Sequence, residues 1–300
     1  MIGCDLGSNT LRIVEIDCDS KKKMMTYEKI VRTAKDLHVN GIICASSKEN
    51  IFQALHEASL IFDFKNKKTF CVTTEAMRVA KNAPEILNEI YEKFALQFEI
   101  ISGKQEAYLT SLAIENALKR EGLDEQTYVL FDLGGGSTEL TFCKDGKKES
   151  QSFPFGIINI AEKHQHDLDK NIAHILNSIN DFIASKKDIP NNYLQLIATA
   201  GTPTTVCAYL QDLDYAHYDS SKINGKTLHI NDFDKALSSL MALNHEEAER
   251  YTGTDRRDLV VVGISIVKAL MKKLGFENCI VMDDGLREGV AISNCNTALF

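Results

Sequence analysis

Hydrophobic positions fall into two repeating patterns along the chain. Short apolar or alternating runs at 1–4, 11–16, 25–33, 69–73 and 98–101 predict strands. Between them, apolar residues recurring every three to four positions over 48–62, 76–94 and 104–120 predict helices. A polar stretch at 121–126 containing Gly122 interrupts this order, and the pattern then starts again. Strand runs at 128–131 and 139–143 lead into the hairpin signal Lys144-Asp145-Gly146-Lys147 and a further strand. A helical segment at 160–184, a strand at 194–198 and a helix at 204–210 follow. Two more helices near 232–251 and 258–274, a strand at 279–282 and a last helix from Leu286 complete the pattern.

Both halves open on the same device. Asp5-Leu6-Gly7-Ser8-Asn9-Thr10 and Asp132-Leu133-Gly134-Gly135-Gly136-Ser137-Thr138 each place an acid at the end of a strand, a glycine turn after it, and a second strand beyond. Strands followed by alternating helix and strand predict an α/β protein with mixed sheets flanked by helices. The duplicated order resembles the superfamily of acetate and sugar kinases, heat-shock ATPases and actin. That resemblance implies two duplicated ribonuclease H-like (actin-like) domains facing each other across an interdomain cleft. The expected domains are 1–121 and 122–300, with the last few residues free to pack back on the first.

Composition narrows the function classes. A net charge of -8 argues against a general nucleic-acid surface. An anionic substrate must then be met by local amides, a metal ion and a few arginines. Charged residues interrupt every apolar stretch before the roughly 20 residues that a membrane helix needs, and the N-terminus reads directly into a strand without a leader pattern. The expectation is a cytoplasmic protein with neither nucleic-acid nor membrane partners. The eight cysteines show no paired spacing of the zinc or redox kind and are expected to be reduced and mostly buried. His164 and His166 form the dense histidine cluster, read as a solvated helix surface.

The glycine turns suit phosphate, because successive backbone N–H groups can converge on one oxygen where no side chain intervenes. Asp5 and Asp132 stand where a carboxylate can bind a metal, or else form a local Asx turn. Six segments in order, DLGSNT with Arg12 following, TTEAMR, ISGKQEA, DLGGGSTEL, AGTPTT and DGLREG, resemble the motifs of the exopolyphosphatase and guanosine pentaphosphate phosphohydrolase family. The resemblance implies hydrolysis of a terminal phosphoanhydride with Mg²⁺, other divalent cations being alternatives. It further implies polyphosphate, guanosine pentaphosphate or guanosine tetraphosphate as binding partners, and it allows a homodimer.

Residue by residue, the resemblance makes Glu106 the base that activates water, Arg78 the arginine on the terminal phosphate, and Glu139 an acid near the metal and the scissile bond. Asp5, Asp132 and Glu139 form the implied metal set. Phosphate contacts are expected from Gly7, Ser8, Asn9 and Thr10, from Gly134, Gly135, Gly136, Ser137 and Thr138, and from Gly201, Thr202 and Arg287. Competing roles are open for several of these. Ser102 and Gln105 can form a capping box that makes Glu106 an ordinary first-turn acid, and strand alternation can put Glu139 on the surface. Arg256 and Arg257 are further phosphate candidates, with helix-surface solvation as their default.

The chain departs from the family pattern in two places. Gln105 stands where an acid is frequent, and the family usually carries a second glycine before Gly201 and no Pro203. Longer members add a C-terminal helical region beyond DGLREG, so a shorter grip on the phosphate chain is expected here. Two rival functions share the fold: a small-molecule kinase, and a weakly catalytic sensor of guanosine tetra- or pentaphosphate.

Overall fold

The computed structural model describes residues 1–163, 167–186, 189 and 191–295. The pair His164 and His166 lies outside them. By contacts the chain divides into one unit of Met1–Asn116 together with the stretch from Gly285 onward, and a second unit of Ala117–Asp284.

Unit 1 contains β1 (Ile2–Leu6), β2 (Thr10–Ile16), β3 (Lys23–Ile30), α1 (Leu37–Asn40), α2 (Ala45–Ile61), β4 (Thr69–Thr73), α3 (Glu75–Val79), α4 (Ala83–Phe94), β5 (Phe98–Ile100) and most of α5 (Gly103–Arg120). Unit 2 contains β6 (Tyr128–Leu133), β7 (Thr138–Lys144), β8 (Lys147–Phe153), α6 (Ile157–Lys163), α7 (Leu168–Ser178), α8 (Asn180–Ala184), β9 (Leu196–Thr199), α9 (Gly201–Tyr209), β10 (Lys226–His229), α10 (Ile230–Ala242), α11 (His245–Thr252), α12 (Arg257–Leu274) and β11 (Asn278–Val281). The final helix, α13 (Leu286–Cys295), belongs to unit 1.

The sheets confirm the duplication. Among the described residues unit 1 has strand order β3-β2-β1-β4-β5, and unit 2 has β10-β11-β9-β6-β7-β8. In each, an antiparallel three-stranded meander is continued by parallel strands, β4 and β5 in one and β9 and β11 in the other. Unit 2 adds β10 as an antiparallel edge on β11, a strand too short and polar to be expected from its pattern.

Three expected helices are subdivided, each for a local reason. Pro84 sits in the first turn of α4, where its missing N–H is harmless; inside a continuous helix it would face the carbonyl of Ala80, so α3 and α4 are separate. The segment at 160–184 becomes α6, α7 and α8, with Asp167 accepting from the Lys170 N–H to start α7. The segment at 232–251 breaks at Asn244, whose capping box with Glu247 starts α11. No helix among the described residues is long and apolar enough to cross a membrane.

The unit 2 core is built from inward residues of the sheet, Val129, Phe131, Leu140, Phe142 and Phe153, against Ile264, Val267 and Met271 of α12. In unit 1 the distant α13 closes one face of the sheet: Ala291 and Ile292 meet Val14 and Ile16, while Leu286 and Val290 meet Val72 and Ile101. This approach is close enough that glycine is required on both sides. A Cβ on Gly3 would collide with the Arg287 carbonyl, and one on Gly289 with the carbonyl of Leu109.

The expectation that all eight cysteines are reduced is corrected. Cys18 and Cys295 form a disulfide across a sequence separation of 277 residues, which no local spacing can signal. Cys4, Cys71, Cys143, Cys207 and Cys279 are free and buried.

One backbone conformation stands out. Ala200, between β9 and α9, has φ 78° and ψ -176°, a region occupied almost only by glycine and costing roughly 1–3 kcal/mol for other residues. Ala200→Gly is therefore expected to stabilise the protein by about 1 kcal/mol after the greater unfolded-state freedom of glycine is counted, read as a higher urea midpoint. Gly289→Ala is expected to lower that midpoint by the equivalent of about 1–3 kcal/mol, because α13 must move away from the Leu109 carbonyl of α5 to admit the methyl group.

Candidate active site

The two acid-glycine turns are the same structure twice. In unit 1 the Gly7 N–H donates to the Thr10 carbonyl at 3.0 Å; in unit 2 the Gly134 N–H donates to the Ser137 carbonyl, also at 3.0 Å. Each turn is then tied from one side through its carbonyls. The Ser8 and Asn9 carbonyls accept from Ala34, Val31 and Arg32, while those of Gly134 and Gly135 accept from Ile157 and Ile158, and that of Gly136 from the Asn159 side chain. With the carbonyls committed, the N–H groups of Ser8 and Asn9, and of Gly135, Gly136 and Ser137, donate to no backbone carbonyl among the described residues. Such a cluster of amides is a nest suited to an anion. Position 156 needs glycine to support this turn, because a Cβ there would lie 2.4 Å from the Gly135 carbonyl.

Strand register makes the comparison between the units sharper. Asp5 is opposite Arg12 on β1 and β2, and Asp132 is opposite Glu139 on β6 and β7. The same position thus carries a cation in unit 1 and a second anion in unit 2. Glu139 is 2% exposed and accepts from the Ser152 hydroxyl at 2.6 Å, so the reading of it as a surface carboxylate is overturned. Like charges directly opposite each other on a sheet are destabilising, and a hard divalent cation resolves that conflict with the oxygen donors present. Asp132 and Glu139 therefore fit a Mg²⁺-type ion. Among the described residues, the group of three potential ligands drawn closely together is instead His245, Glu249 and Asp255, at the surface of unit 2.

In unit 1, Glu106 and Arg78 come together. Ser102 and Gln105 do form the capping box at the head of α5: the Gln105 Oε1 accepts from the Ser102 N–H at 2.9 Å and from its hydroxyl at 2.8 Å. This places Glu106 in the first turn of α5, only 8% exposed, with Oε2 accepting from Nη1 and Nη2 of Arg78, both at 3.3 Å. The guanidinium also donates from Nε and Nη2 to Glu75, at 3.1 and 3.0 Å, and from Nη1 to the Ile101 carbonyl. Glu75, within the TTEAMR segment but assigned no role from sequence, therefore orients Arg78. Its position three residues before Arg78 on a helix is the signal that could have revealed it.

The Ala200-Gly201-Thr202 turn opens α9 in unit 2. A Cβ on Gly201 would lie 2.6 Å from Nη2 of Arg256, so this guanidinium rests directly on the turn. Arg256 is 7% exposed, and among the described residues no carboxylate pairs with it. Its default as a solvated helix residue is overturned. A buried cation over a helix N-terminus is a strong anion-binding combination. Arg257 does turn outward, donating to the Met241 carbonyl.

The DGLREG segment is divided between the units. Asp284 is buried in unit 2, accepting from Arg120 at 2.8 Å and Asn224 at 3.0 Å, and burial of Arg120, which opposes its charge, is outweighed by Asp284 so that its pKa is raised. Arg287 belongs to unit 1 and is also buried; its Nε donates to Glu288 at 2.7 Å and its Nη1 lies 3.6 Å from Glu28, which in turn pairs with Arg12 at 3.0 Å. The structure thus commits Arg287 to carboxylates of its own unit.

The fold is shared with known proteins. The model of the Ppx/GppA phosphatase family matches residues 13–298. The crystal structure of the Aquifex aeolicus member of that family is 28% identical, with a TM-score of 0.75, over 100% of this chain and 98% of that one. Curated relatives include a bifunctional 3-dehydroquinate synthase/phosphatase of Fusobacterium nucleatum, 23% identical over 93% of this chain and 44% of that protein. A guanosine-5'-triphosphate,3'-diphosphate pyrophosphatase of Aeromonas hydrophila is 24% identical over 95% of this chain and 57% of that protein. The chain spans about half the length of these curated relatives. With the matched region covering nearly all of its length and the fold shared with a solved member, this chain belongs to the Ppx/GppA phosphatase family.

Proposed function

We propose that the chain hydrolyses the terminal phosphoanhydride of a polyphosphate-type anion, inorganic polyphosphate or guanosine pentaphosphate. The observation that carries this reading is the buried Glu106 carboxylate held by Arg78 at the head of α5. A carboxylate so oriented can take a proton from water as the oxygen attacks the terminal phosphorus and the bond to the bridging oxygen breaks. The leaving group is the shortened phosphate chain. Arg78, fixed by Glu75, is placed to stabilise charge on the transferred phosphoryl group. Within unit 1 the Ser8 and Asn9 amides, and within unit 2 the Gly135, Gly136 and Ser137 amides and Arg256, are each suited to an anion in a protein whose net charge is -8.

Asp132 and Glu139 would hold a divalent cation, Mg²⁺ by their oxygen chemistry, and when bound it supplies charge neutralisation to phosphate oxygens. The family membership and the relative acting as a guanosine-5'-triphosphate,3'-diphosphate pyrophosphatase support this substrate class. Gln105 gives no support to a catalytically silent sensor. Its amide is spent on the cap of Ser102, a task that glutamine and glutamate perform equally, so its replacement of an acid leaves Glu106 in place.

The test is phosphate release across polyphosphates of increasing length, guanosine pentaphosphate and ATP, run on the wild type and Glu106→Gln. The wild type is expected to release phosphate from polyphosphate or the pentaphosphate. The variant should lose about 10²–10⁴ in rate while binding substrate within a few fold. An undiminished rate in Glu106→Gln removes it as the base, and phosphate transfer from ATP to a small alcohol in place of release would favour a kinase.

A further inference from the structure

We propose that Cys18–Cys295 is a redox-responsive staple that fixes α13 onto the β2–β3 hairpin and sets the stability of unit 1. This inference is independent of the hydrolase reading.

The first observation is position. Cys18 lies in the turn between β2 and β3, half-buried among the exposed Asp17, Asp19 and Ser20, whereas Cys295 is the last residue of α13 and is buried. The bond therefore joins the exposed end of a hairpin to a helix contributed from the opposite end of the chain.

The second is what the staple secures. Every other attachment of α13 to this hairpin is non-covalent. Lys23 of β3 lies 3.4 Å from Glu288, Glu28 of β3 faces Arg287, and Val14 and Ile16 of β2 pack on Ala291 and Ile292. Between Gly289 and Leu109 the fit leaves no room for adjustment. A helix that must return across 277 residues to complete its sheet carries a large closure entropy, which a covalent link removes from the unfolded ensemble.

The third is selectivity among the thiols. Cys4 and Cys71 are direct register partners on β1 and β4, yet both remain free. Burial pushes the Cys4 thiol well up, the Cys207 thiol up to about 11 and the Cys279 thiol up to about 12, so these do not exchange near neutral pH. The disulfide opens onto an exposed turn instead. Its oxidation state can follow the surroundings: two thiols lose two electrons and two protons to a small disulfide, which leaves as two thiols, and the reverse exchange reopens the link.

The experiment compares the full-length chain after equilibration with oxidised glutathione and after treatment with dithiothreitol. Peptide mapping without reduction reads the Cys18–Cys295 link, and alkylation reads the thiols. The half-exposed Cys44 serves as an internal control, alkylated in the reduced sample and carrying a glutathione mixed disulfide in the oxidised one; burial opposes its ionisation, but hydrogen bonds with Ser46 and Ser47 outweigh this and lower its pKa. The expected result is the linked peptide in the oxidised sample, a melting temperature lower by roughly 5 °C or more after reduction, and faster hydrogen exchange confined to α13 and residues 17–22. Cys18→Ser should melt with the reduced protein and not respond to dithiothreitol. Free Cys18 in the oxidised sample would overturn the proposal, and so would equal melting temperatures in the oxidised and reduced samples.

Discussion

The structure depends on a single constraint used twice: a strand-to-strand turn whose carbonyls are bound by a neighbouring segment, while its amides donate to no backbone carbonyl among the described residues. Successive backbone N–H groups that donate to no backbone carbonyl among the described residues form a nest suited to an anion. In unit 1 the binding strap is residues 31–34; in unit 2 it is the start of α6 with Asn159. The elements differ while the geometry is kept. A sequence need follows directly, since Gly156 can approach the Gly135 backbone as it does only without a side chain.

From that shared frame the units diverge in charge. Opposite the strand acid, unit 1 has Arg12 and unit 2 has Glu139. Arg12 joins Glu28, Arg287, Glu288 and Lys23 in an ion network that binds α13 to the sheet, while Asp132 and Glu139 leave a concentrated negative site fitted for a cation. One copy of the repeat thus carries a cation opposite its strand acid and uses it in holding the fold together, and the other carries a second acid there. A buried network of this kind is destabilised strongly when one member is removed, which gives Arg287 a structural reason to be an arginine.

Much of this was legible in the sequence because it is local. The repeated Asp-Leu-Gly turns, the meanders after them and the Ser102–Gln105 cap depend on neighbours a few residues apart, and each appeared where its pattern placed it. What escaped was non-local or a matter of degree. Cys18 and Cys295 meet only because α13 returns to unit 1. Arg256 looked like a surface residue because its helix starts beside it, and only tertiary packing brings it over Gly201. The helix breaks at Pro84 and Asn244 followed rules of proline and capping that the apolar periodicity alone overran.

The central claim is that the turn amides receive phosphate, and amide-resolved NMR tests it most directly. In a ¹⁵N–¹H titration with tripolyphosphate and Mg²⁺, the resonances of Ser8, Asn9, Gly135, Gly136 and Ser137 are predicted to shift saturably, together with the Nε–H of Arg256. Shifts confined to exposed lysines, with these amides unmoved at saturating tripolyphosphate, would contradict the account.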